Sequence, residues 1–166
     1  SVHPVSVKVG GFSRVPTRRE LDGLKDELLW ARDAAAETVR WVAGFEKPAF
    51  AQDYTFVAMQ TDSEYPFNEG WVASSDGLSI PAAEFEQHFA ETQVPYSSAL
   101  QCTLDGRSYL AGPLARLRLN SDRLTPMAAQ VLRDTGLPLP LSNPFDAIVA
   151  RAVEVLFSFE EALRLI

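Results

Sequence analysis

The sequence predicts a mixed α+β fold in which long helices flank a small antiparallel β region. A helix-capping pattern followed by helically spaced apolar residues stands near the start, short apolar runs separated by Asp-Gly pairs fill the middle, and two proline-led helix starts stand near the end. These observations predict a single domain over 1–166, with a long helix at 17–44, a β-rich middle at 54–112 and C-terminal helices at 125–166.

The first helix is predicted by a capping box. Thr17 can accept a hydrogen bond from the backbone N–H of Glu20, whose carboxylate can accept one from the N–H of Thr17. Apolar residues then recur every three or four positions, and Gly44 is placed to end the helix. The spacing predicts one continuous helix over about 18–43, with its apolar face at Leu21, Leu24, Leu28, Ala31, Ala35, Val39 and Val42.

The middle of the chain has the pattern of short strands and tight turns. Asp105-Gly106 stands between two apolar runs, and both residues tolerate the positive φ of a type I′ turn, so we expect a two-residue or slightly longer hairpin there. Asp76-Gly77 predicts a second turn. Apolar or alternating runs predict strands at 55–59, 70–73, 97–104 and 108–111.

Residues 81–91 carry mixed signals. Phe85 and Phe89 stand four apart as on a helix, whereas their neighbours favour a strand, and we interpret the stretch as a short helix.

The last third predicts two helices, each opened by a proline. Thr125-Pro126 and Asn143-Pro144 place a capping side chain directly before a proline that suits the first helical position. The first helix should end at Gly136, and 137–140 should form an extended link. The second helix has a wide apolar face at Phe145, Ile148, Val149, Ala152, Val155, Leu156, Phe159, Ala162 and Ile166.

Charge and hydropathy exclude several classes of partner. The 166 residues include 22 acidic and 15 basic side chains, giving a formal charge of -7, and no Lys/Arg run could neutralise phosphates. Nucleic acids and anionic membranes are therefore poor partners. No apolar stretch approaches the roughly 20 residues that span a bilayer, so we expect no membrane span. The hydrophobic content of 46% is enough to build a core.

The candidates for metal binding or nucleophilic chemistry are His3, His88 and Cys102, the single cysteine. His3 precedes a proline and fits a structural or surface role. His88 follows Glu84 by four residues, which on a helix makes a solvated pair more often than two metal ligands. Cys102 lies in an apolar run and fits a small buried hydrophobe. These residues alone predict no catalytic residue and no metal ligand.

Two common enzyme signatures are also missing. No serine stands in a Gly-x-Ser-x-Gly elbow, and the two histidines give little choice of base, so a Ser/His/Asp hydrolase is disfavoured. Gly10-Gly11 lacks the Lys-Ser/Thr that completes a phosphate-binding loop. The residues by themselves therefore lead to an α+β domain and no further.

The segment Gly112-Pro113-Leu114-Ala115-Arg116, preceded by Tyr109-Leu110, resembles the Gly-Pro-Leu-Ala-Arg segment of the large subunits of nickel-iron hydrogenases. Further segments resemble that family in order and spacing along the whole chain: His3-Pro4, Gly10-Gly11, the Ser-Ser-Asp-Gly at 74–77, the Val-Pro-Tyr-Ser at 94–97, Asn143-Pro144-Phe145 and the Arg-Ala-Val-Glu at 151–154. The resemblance is to multisubunit, cytoplasmic or cofactor-coupled members, so we expect a cytoplasmic location.

The resemblance implies a parent protein that oxidises molecular hydrogen reversibly and passes electrons to an iron-sulfur small subunit. In that family two Cys-x-x-Cys pairs hold nickel and an iron that carries cyanide and carbon monoxide, and neither pair is in this chain. Because nickel in this role needs thiolates, we expect this chain to hold no cofactor and to be inactive alone. The resemblance also implies that His3 lies near an iron-sulfur cluster of the partner subunit without ligating it.

The two ends of the chain add an expectation about association. It starts Ser1-Val2-His3-Pro4 and stops at Ile166 inside an apolar pattern, so we expect an internal fragment of a longer subunit. Such a fragment exposes faces that its parent covers, and alone it should form a homodimer or closed oligomer through the 144–166 helix or the long helix. The alternative is a metal-free scaffold or interaction domain derived from the same family.

Overall fold

The computed structural model describes residues 7–50 and 52–166, and it confirms the α+β class. Three small antiparallel sheets account for the strands. The helices are α1 Arg18–Asp22, α2 Lys25–Ala43, α3 Phe85–His88, α4 Pro113–Asn120, α5 Pro126–Asp134 and α6 Ala147–Leu165. The strands are β1 Val7–Lys8, β2 Gly11–Phe12, β3 Val57–Gln60, β4 Trp71–Ser74, β5 Ser79–Ile80, β6 Phe89–Gln93 and β7 Leu100–Leu104.

The first predicted helix is divided into α1 and α2. The capping box at its start is present, because Glu20 N–H donates to Thr17 Oγ1 and Thr17 N–H donates to a Glu20 carboxylate oxygen at 2.9 Å. The prediction of one continuous helix was wrong at Gly23 and Leu24, which separate the two pieces. Glycine is a weak helix former, and the two residues take ψ values of -17° and -12° that tighten the turn. The α2 helix ends before Gly44 as expected.

Both predicted Asp-Gly turns are present. Leu104 and Arg107 exchange two backbone hydrogen bonds of 2.9 Å across Asp105 and Gly106, whose φ values are 47° and 77°. The predicted two-residue turn is therefore confirmed, although no regular strand follows it. The turn at Gly77, with a φ of 98°, joins β4 to β5.

The strand pairing differs from the prediction in two places. Residues 108–111 form no regular strand; instead Leu110 exchanges backbone hydrogen bonds with Thr55 and Val57 beside the start of β3. The predicted helix over 81–91 reaches only His88, because Phe89 begins β6 and pairs with Leu104 of β7. The rings of Phe85 and Phe89 do stack, with centroids 4.2 Å apart, so the four-residue spacing brings them together although only Phe85 is helical.

The C-terminal third contains one helix that the sequence reasoning missed. Helix α4 begins directly after Gly112, ahead of the two predicted helices α5 and α6. Asn143 caps the single 3₁₀ turn Pro144–Asp146 that leads into α6, its Oδ1 accepting from Phe145 N–H at 3.0 Å. Thr125 does not cap α5 as predicted. Its hydroxyl donates to the Glu160 carboxylate of α6, which also accepts from Ala128 N–H at 3.2 Å.

The main core lies where α2, α4 and α5 pack around α6. A smaller cluster, centred on Val57, Ile80, Phe89 and Leu104, joins the two larger sheets. Within residues 7–50 and 52–166, no helix is long and apolar enough to cross a bilayer. The buried apolar side chains therefore form two groups, a helical core and a β cluster. Strand β3 contributes to both, because Ala58 packs on the helical core and Val57 belongs to the β cluster.

Two glycine substitutions should shift stability in opposite directions. Gly23→Ala should raise the free energy of unfolding by about 0.5–1 kcal/mol, because the glycine is already right-handed and an added Cβ approaches no atom closer than 3.4 Å. Gly70→Ala should lower it by more than about 1 kcal/mol, because φ is +133° and the Cβ would lie 2.2 Å from the Gln60 carbonyl oxygen. Urea titration of both variants measures this, and a destabilised Gly23→Ala would contradict our account of the break.

Candidate functional site

Of the three residues singled out by the sequence, His88 and Cys102 lie in the described part of the chain, and neither belongs to a group of His, Cys, Asp or Glu side chains there that could hold a metal ion. His3 lies outside the described residues. His88 ends α3, and its Nδ1 lies 3.8 Å from Asp105 Oδ1. Glu84 belongs to a 3₁₀ turn that precedes α3, so the helical four-residue spacing expected for Glu84 and His88 does not apply. Cys102 is half-buried on β7 against the β cluster, in keeping with a small apolar role.

The hydroxyl of Tyr109 lies within hydrogen-bonding reach of the Cys102 side chain. Burial, with a smaller effect from a hydrogen bond to the Cys102 side chain, raises the pKa of Tyr109 to about 12. Across 7–50 and 52–166, no three His, Cys, Asp or Glu side chains are grouped so that they could hold a metal ion. The residues present therefore do not fit a nickel-iron centre, which requires several thiolates at one place.

The structure instead brings together three residues that sequence reasoning did not select as site residues, although Arg116 and Glu154 lie in segments that carry the family resemblance. Arg116 Nε donates to Glu154 Oε1 and Arg116 Nη2 donates to Glu154 Oε2, both at 2.7 Å. The Tyr65 hydroxyl donates to Glu154 Oε1 at 2.9 Å. We call these three residues the Arg116 clamp. It ties α4, α6 and the segment between β3 and β4 to one carboxylate that is 6% exposed.

The motif at 112–116 explains how Arg116 reaches that position. Gly112 has a φ of 91°, which is costly for any residue with a Cβ, and it turns the chain into α4. Pro113 occupies the first turn, where its missing N–H removes no hydrogen bond. Leu114 and Ala115 are buried in the main core, and Arg116 then points to Glu154. Each residue of the motif therefore has a local structural role.

Helix α4 is held against β3 at both ends. Before it starts, Leu110 N–H donates to Thr55 O at 2.8 Å and Val57 N–H donates to Leu110 O at 2.9 Å. At its C-terminal end, Gln60 Nε2 donates to Leu119 O at 2.9 Å and Asn120 Nδ2 donates to Met59 O at 3.1 Å. These bonds hold α4 against β3, and the clamp holds the same helix against α6.

The electrostatics of the clamp keep both donors protonated. Burial and the adjacent Glu154 carboxylate raise the pKa of Tyr65 well above its ordinary value. Hydrogen bonds to Glu154 raise the pKa of Arg116. Glu154 thus accepts three hydrogen bonds from groups that do not give up their protons near neutral pH. An arrangement of this kind orients helices and offers no free base or nucleophile.

Aromatic rings surround the clamp and separate two open cavities. The rings of Tyr65, Phe67 and Phe157 lie within 5.1 to 5.6 Å of one another, and the Arg116 Cζ lies 5.8 Å from the Phe67 centroid. Phe67 borders both a cavity of about 200 Å³ beside Gly112 and one of about 670 Å³ near the end of α6. Arg116 also lines the smaller cavity and Tyr65 the larger one, so each opening reaches one residue of the clamp beside the Phe67 ring.

One signal in the sequence could have indicated Glu154. It stands between Val153 and Val155 in a helix whose neighbours are mostly apolar, and a carboxylate in such a position needs a partner. The sequence does not identify that partner, because Arg116 is 38 positions away and Tyr65 is 89.

Comparison with known proteins places the chain near hydrogenase subunits. It is 26% identical over 168 residues to sulfhydrogenase 1 subunit alpha of Pyrococcus furiosus, an alignment that covers 100% of this chain and 39% of the relative. It is 22% identical over 167 residues to sulfhydrogenase 2 subunit alpha of the same organism, covering 99% of the chain and 38% of that relative. No protein-family model matches the chain. The chain is thus similar along its length to hydrogenase subunits, and it spans less than two-fifths of theirs.

A double-mutant cycle should detect the clamp. Glu154→Leu should lower the free energy of unfolding by about 2–3 kcal/mol, less than for a fully buried pair because the Arg116 side chain is 29% exposed and water solvates it in part. Arg116→Met should cost about 3–5 kcal/mol, because it leaves the buried carboxylate without its opposite charge, although Tyr65 still donates to it. The loss of unfolding free energy in the double variant should be smaller than the sum of the two single losses by more than about 1 kcal/mol.

The matched control for this cycle is the exposed pair Arg164 and Glu161, which has the same residue types and a hydrogen bond of 2.6 Å. Arg164→Met and Glu161→Leu should show no resolvable coupling, because solvent screens an exposed pair. Urea unfolding of all variants gives both coupling energies. Additive losses for Arg116 and Glu154 would contradict the clamp.

Alkaline titration should reveal two late-ionising phenols. Because the folded pKa values of Tyr65 and Tyr109 are raised, the fold favours the neutral phenol. The resulting stabilisation is fully present below the unfolded value of about 10 and is lost as the pH rises through the folded value, about 12 for Tyr109. Tyrosinate absorbance should show Tyr65→Phe and Tyr109→Phe each removing one late step. Ionisation of all four tyrosines near pH 10 in the folded protein would contradict the burial of these hydroxyls.

Proposed function

We propose that this chain is the central segment of the large subunit of a cytoplasmic nickel-iron hydrogenase, whose complete protein oxidises molecular hydrogen reversibly and passes electrons to an iron-sulfur small subunit. The observation that carries the proposal is the similarity of the whole chain to two sulfhydrogenase alpha subunits. The resemblance of residues 112–116 to the large-subunit motif supports it, and Leu114 and Ala115 of that motif are buried in the main core.

In this proposal the chain supplies scaffold and not metal ligands. The Arg116 clamp positions α4 against α6, and the thiolates come from Cys-x-x-Cys pairs on either side of this segment in the complete subunit. Cys102 is unsuited to join them, because it is half-buried in the β cluster beside Tyr109 and the chain has no second cysteine. The segment would accordingly be inactive when it is produced alone.

His3 has a separate proposed role in the complete protein. Its resemblance to the family's His-Pro histidine suggests a place near the iron-sulfur cluster of the small subunit, where an imidazole can tune a cluster by hydrogen bonding without ligating it.

The complete reading frame and its metal content test the proposal together. We expect one Cys-x-x-Cys pair on each side of this segment, and stoichiometric nickel with hydrogen-dependent dye reduction in the complete protein assembled with its small subunit. The 166-residue chain alone should hold no stoichiometric nickel or iron. Cys102→Ser provides the matched control, because a cysteine that is not a ligand should be replaceable with nickel and activity retained.

Two results would contradict the proposal. One is an equivalent of chelator-resistant nickel on the 166-residue chain, and the other is a reading frame without the flanking pairs. The second result would instead support a metal-free scaffold derived from the same family.

A further inference from the structure

An apolar groove runs between α2 and α6 on the outside of the main core. It consists of two adjoining cavities of about 270 and 320 Å³. Trp30, Ala31 and Phe159 border both, so the two cavities form one continuous depression. We call this depression the α2/α6 groove.

The groove follows the axes of the two helices. Thr38 and Ala152 line one end, while Leu24 lines the other end together with Phe159, so α2 and α6 run antiparallel along it. From Leu24 to Thr38 the helical rise of about 1.5 Å per residue gives a length of roughly 21 Å. A straight groove of this length between two packed helices has the shape that receives a third helix of about four turns.

The lining of the groove is suited to a helix with an apolar face. Ala31 and Ala34 line the bottom of the groove, and their small side chains allow another backbone to approach closely. Trp30 is 73% exposed at the rim, and Val155 is also exposed. Of the residues that line the two cavities, Glu27 alone carries a charge. Apolar surface arranged in this way usually marks a contact.

The area of the groove distinguishes between two occupants. A depression about 21 Å long and one helix wide, roughly 10 Å, has a footprint of about 200 Å². A standard interface between two proteins buries roughly 800 Å² on each partner, so the groove is too small to be the principal contact with a second copy. A helix of the same polypeptide needs no such area. Its packing does not cost the translational and rotational freedom that two separate molecules lose when they associate.

We propose that the α2/α6 groove seats an α-helix of about four turns, with an apolar face, from the part of the subunit that lies outside this chain. This inference rests on the proposed function. The sulfhydrogenase alpha subunits have the chain length to supply such a helix, because this chain aligns with only 39% and 38% of them. When this chain is produced alone the groove is open to solvent.

Cysteine labelling in the groove tests the inference. Ala34→Cys places a thiol on the groove floor, and Ala83→Cys places one on an exposed 3₁₀ turn far from it in the sequence. Maleimide labelling, quantified by mass spectrometry of the modified peptide, is compared between the complete subunit and the 166-residue chain at high dilution. The Ala34→Cys thiol should react at least about 10-fold more slowly in the complete subunit, while the Ala83→Cys thiol should react equally in both.

A second pair of variants does not depend on labelling. Ala34→Trp fills the groove, and it should lower the midpoint of thermal unfolding of the complete subunit while leaving that of the dilute 166-residue chain unchanged. Ala83→Trp should change neither midpoint.

Three outcomes would overturn the inference: equal labelling of Ala34→Cys in both proteins, protection in the complete subunit that disappears on dilution and so comes from a second copy, and an unchanged midpoint for Ala34→Trp in the complete subunit. These results are separate from those that test the proposed function. A complete subunit can contain both cysteine pairs and reduce dye with hydrogen while its groove is still open.

Discussion

The packing of α4 on α6 depends on how the buried carboxylate of Glu154 is satisfied. Moving a charged group such as Glu154 out of water costs several kcal/mol, and the cost is offset only when hydrogen bonds and an opposite charge replace the lost water. Arg116 provides two such bonds and Tyr65 provides one, and these two donors come from different parts of the chain. The arrangement of α4, α6 and the segment after β3 that satisfies Glu154 is therefore far more specific than apolar packing alone would require.

The same principle recurs along α6. Asp146, one residue before the helix, binds Lys47 at 2.5 Å, and Lys47 follows α2 in the chain. Glu160, near the other end, accepts from the hydroxyl of Thr125 and from the backbone of α5. Asp146 therefore joins α6 to the segment after α2, Glu154 joins it to α4, and Glu160 joins it to α5. Helix α6 is thus the element to which the others are attached, and its apolar face supplies the core between these attachments.

Features that arise from neighbouring residues could be predicted from the sequence. The capping box at Thr17 and the turn at Asp105-Gly106 depend on a few adjacent residues with strong conformational preferences, and both were found where expected. The break at Gly23 was not expected, because the helical spacing of apolar residues continues through it. Such spacing indicates which face of a segment is buried, and it does not show that every residue in the segment is helical. Helix α4 had a local signal in Gly112-Pro113, which we interpreted as a family motif instead of a helix start. The clamp could not be predicted, because its partners are distant in the sequence and ordinary in type.

Hydrogen exchange of the backbone amides tests the central claim that the Arg116 clamp holds the helical core together. In the native protein, α4 and α6 should exchange most slowly. In Arg116→Met, protection should fall in α4 and in residues 61–67 together, whereas the β6–β7 pair should retain its protection because it belongs to the β cluster. If α4 keeps its native protection in that variant, apolar packing alone holds the helix, and the clamp is not the constraint on which the fold depends.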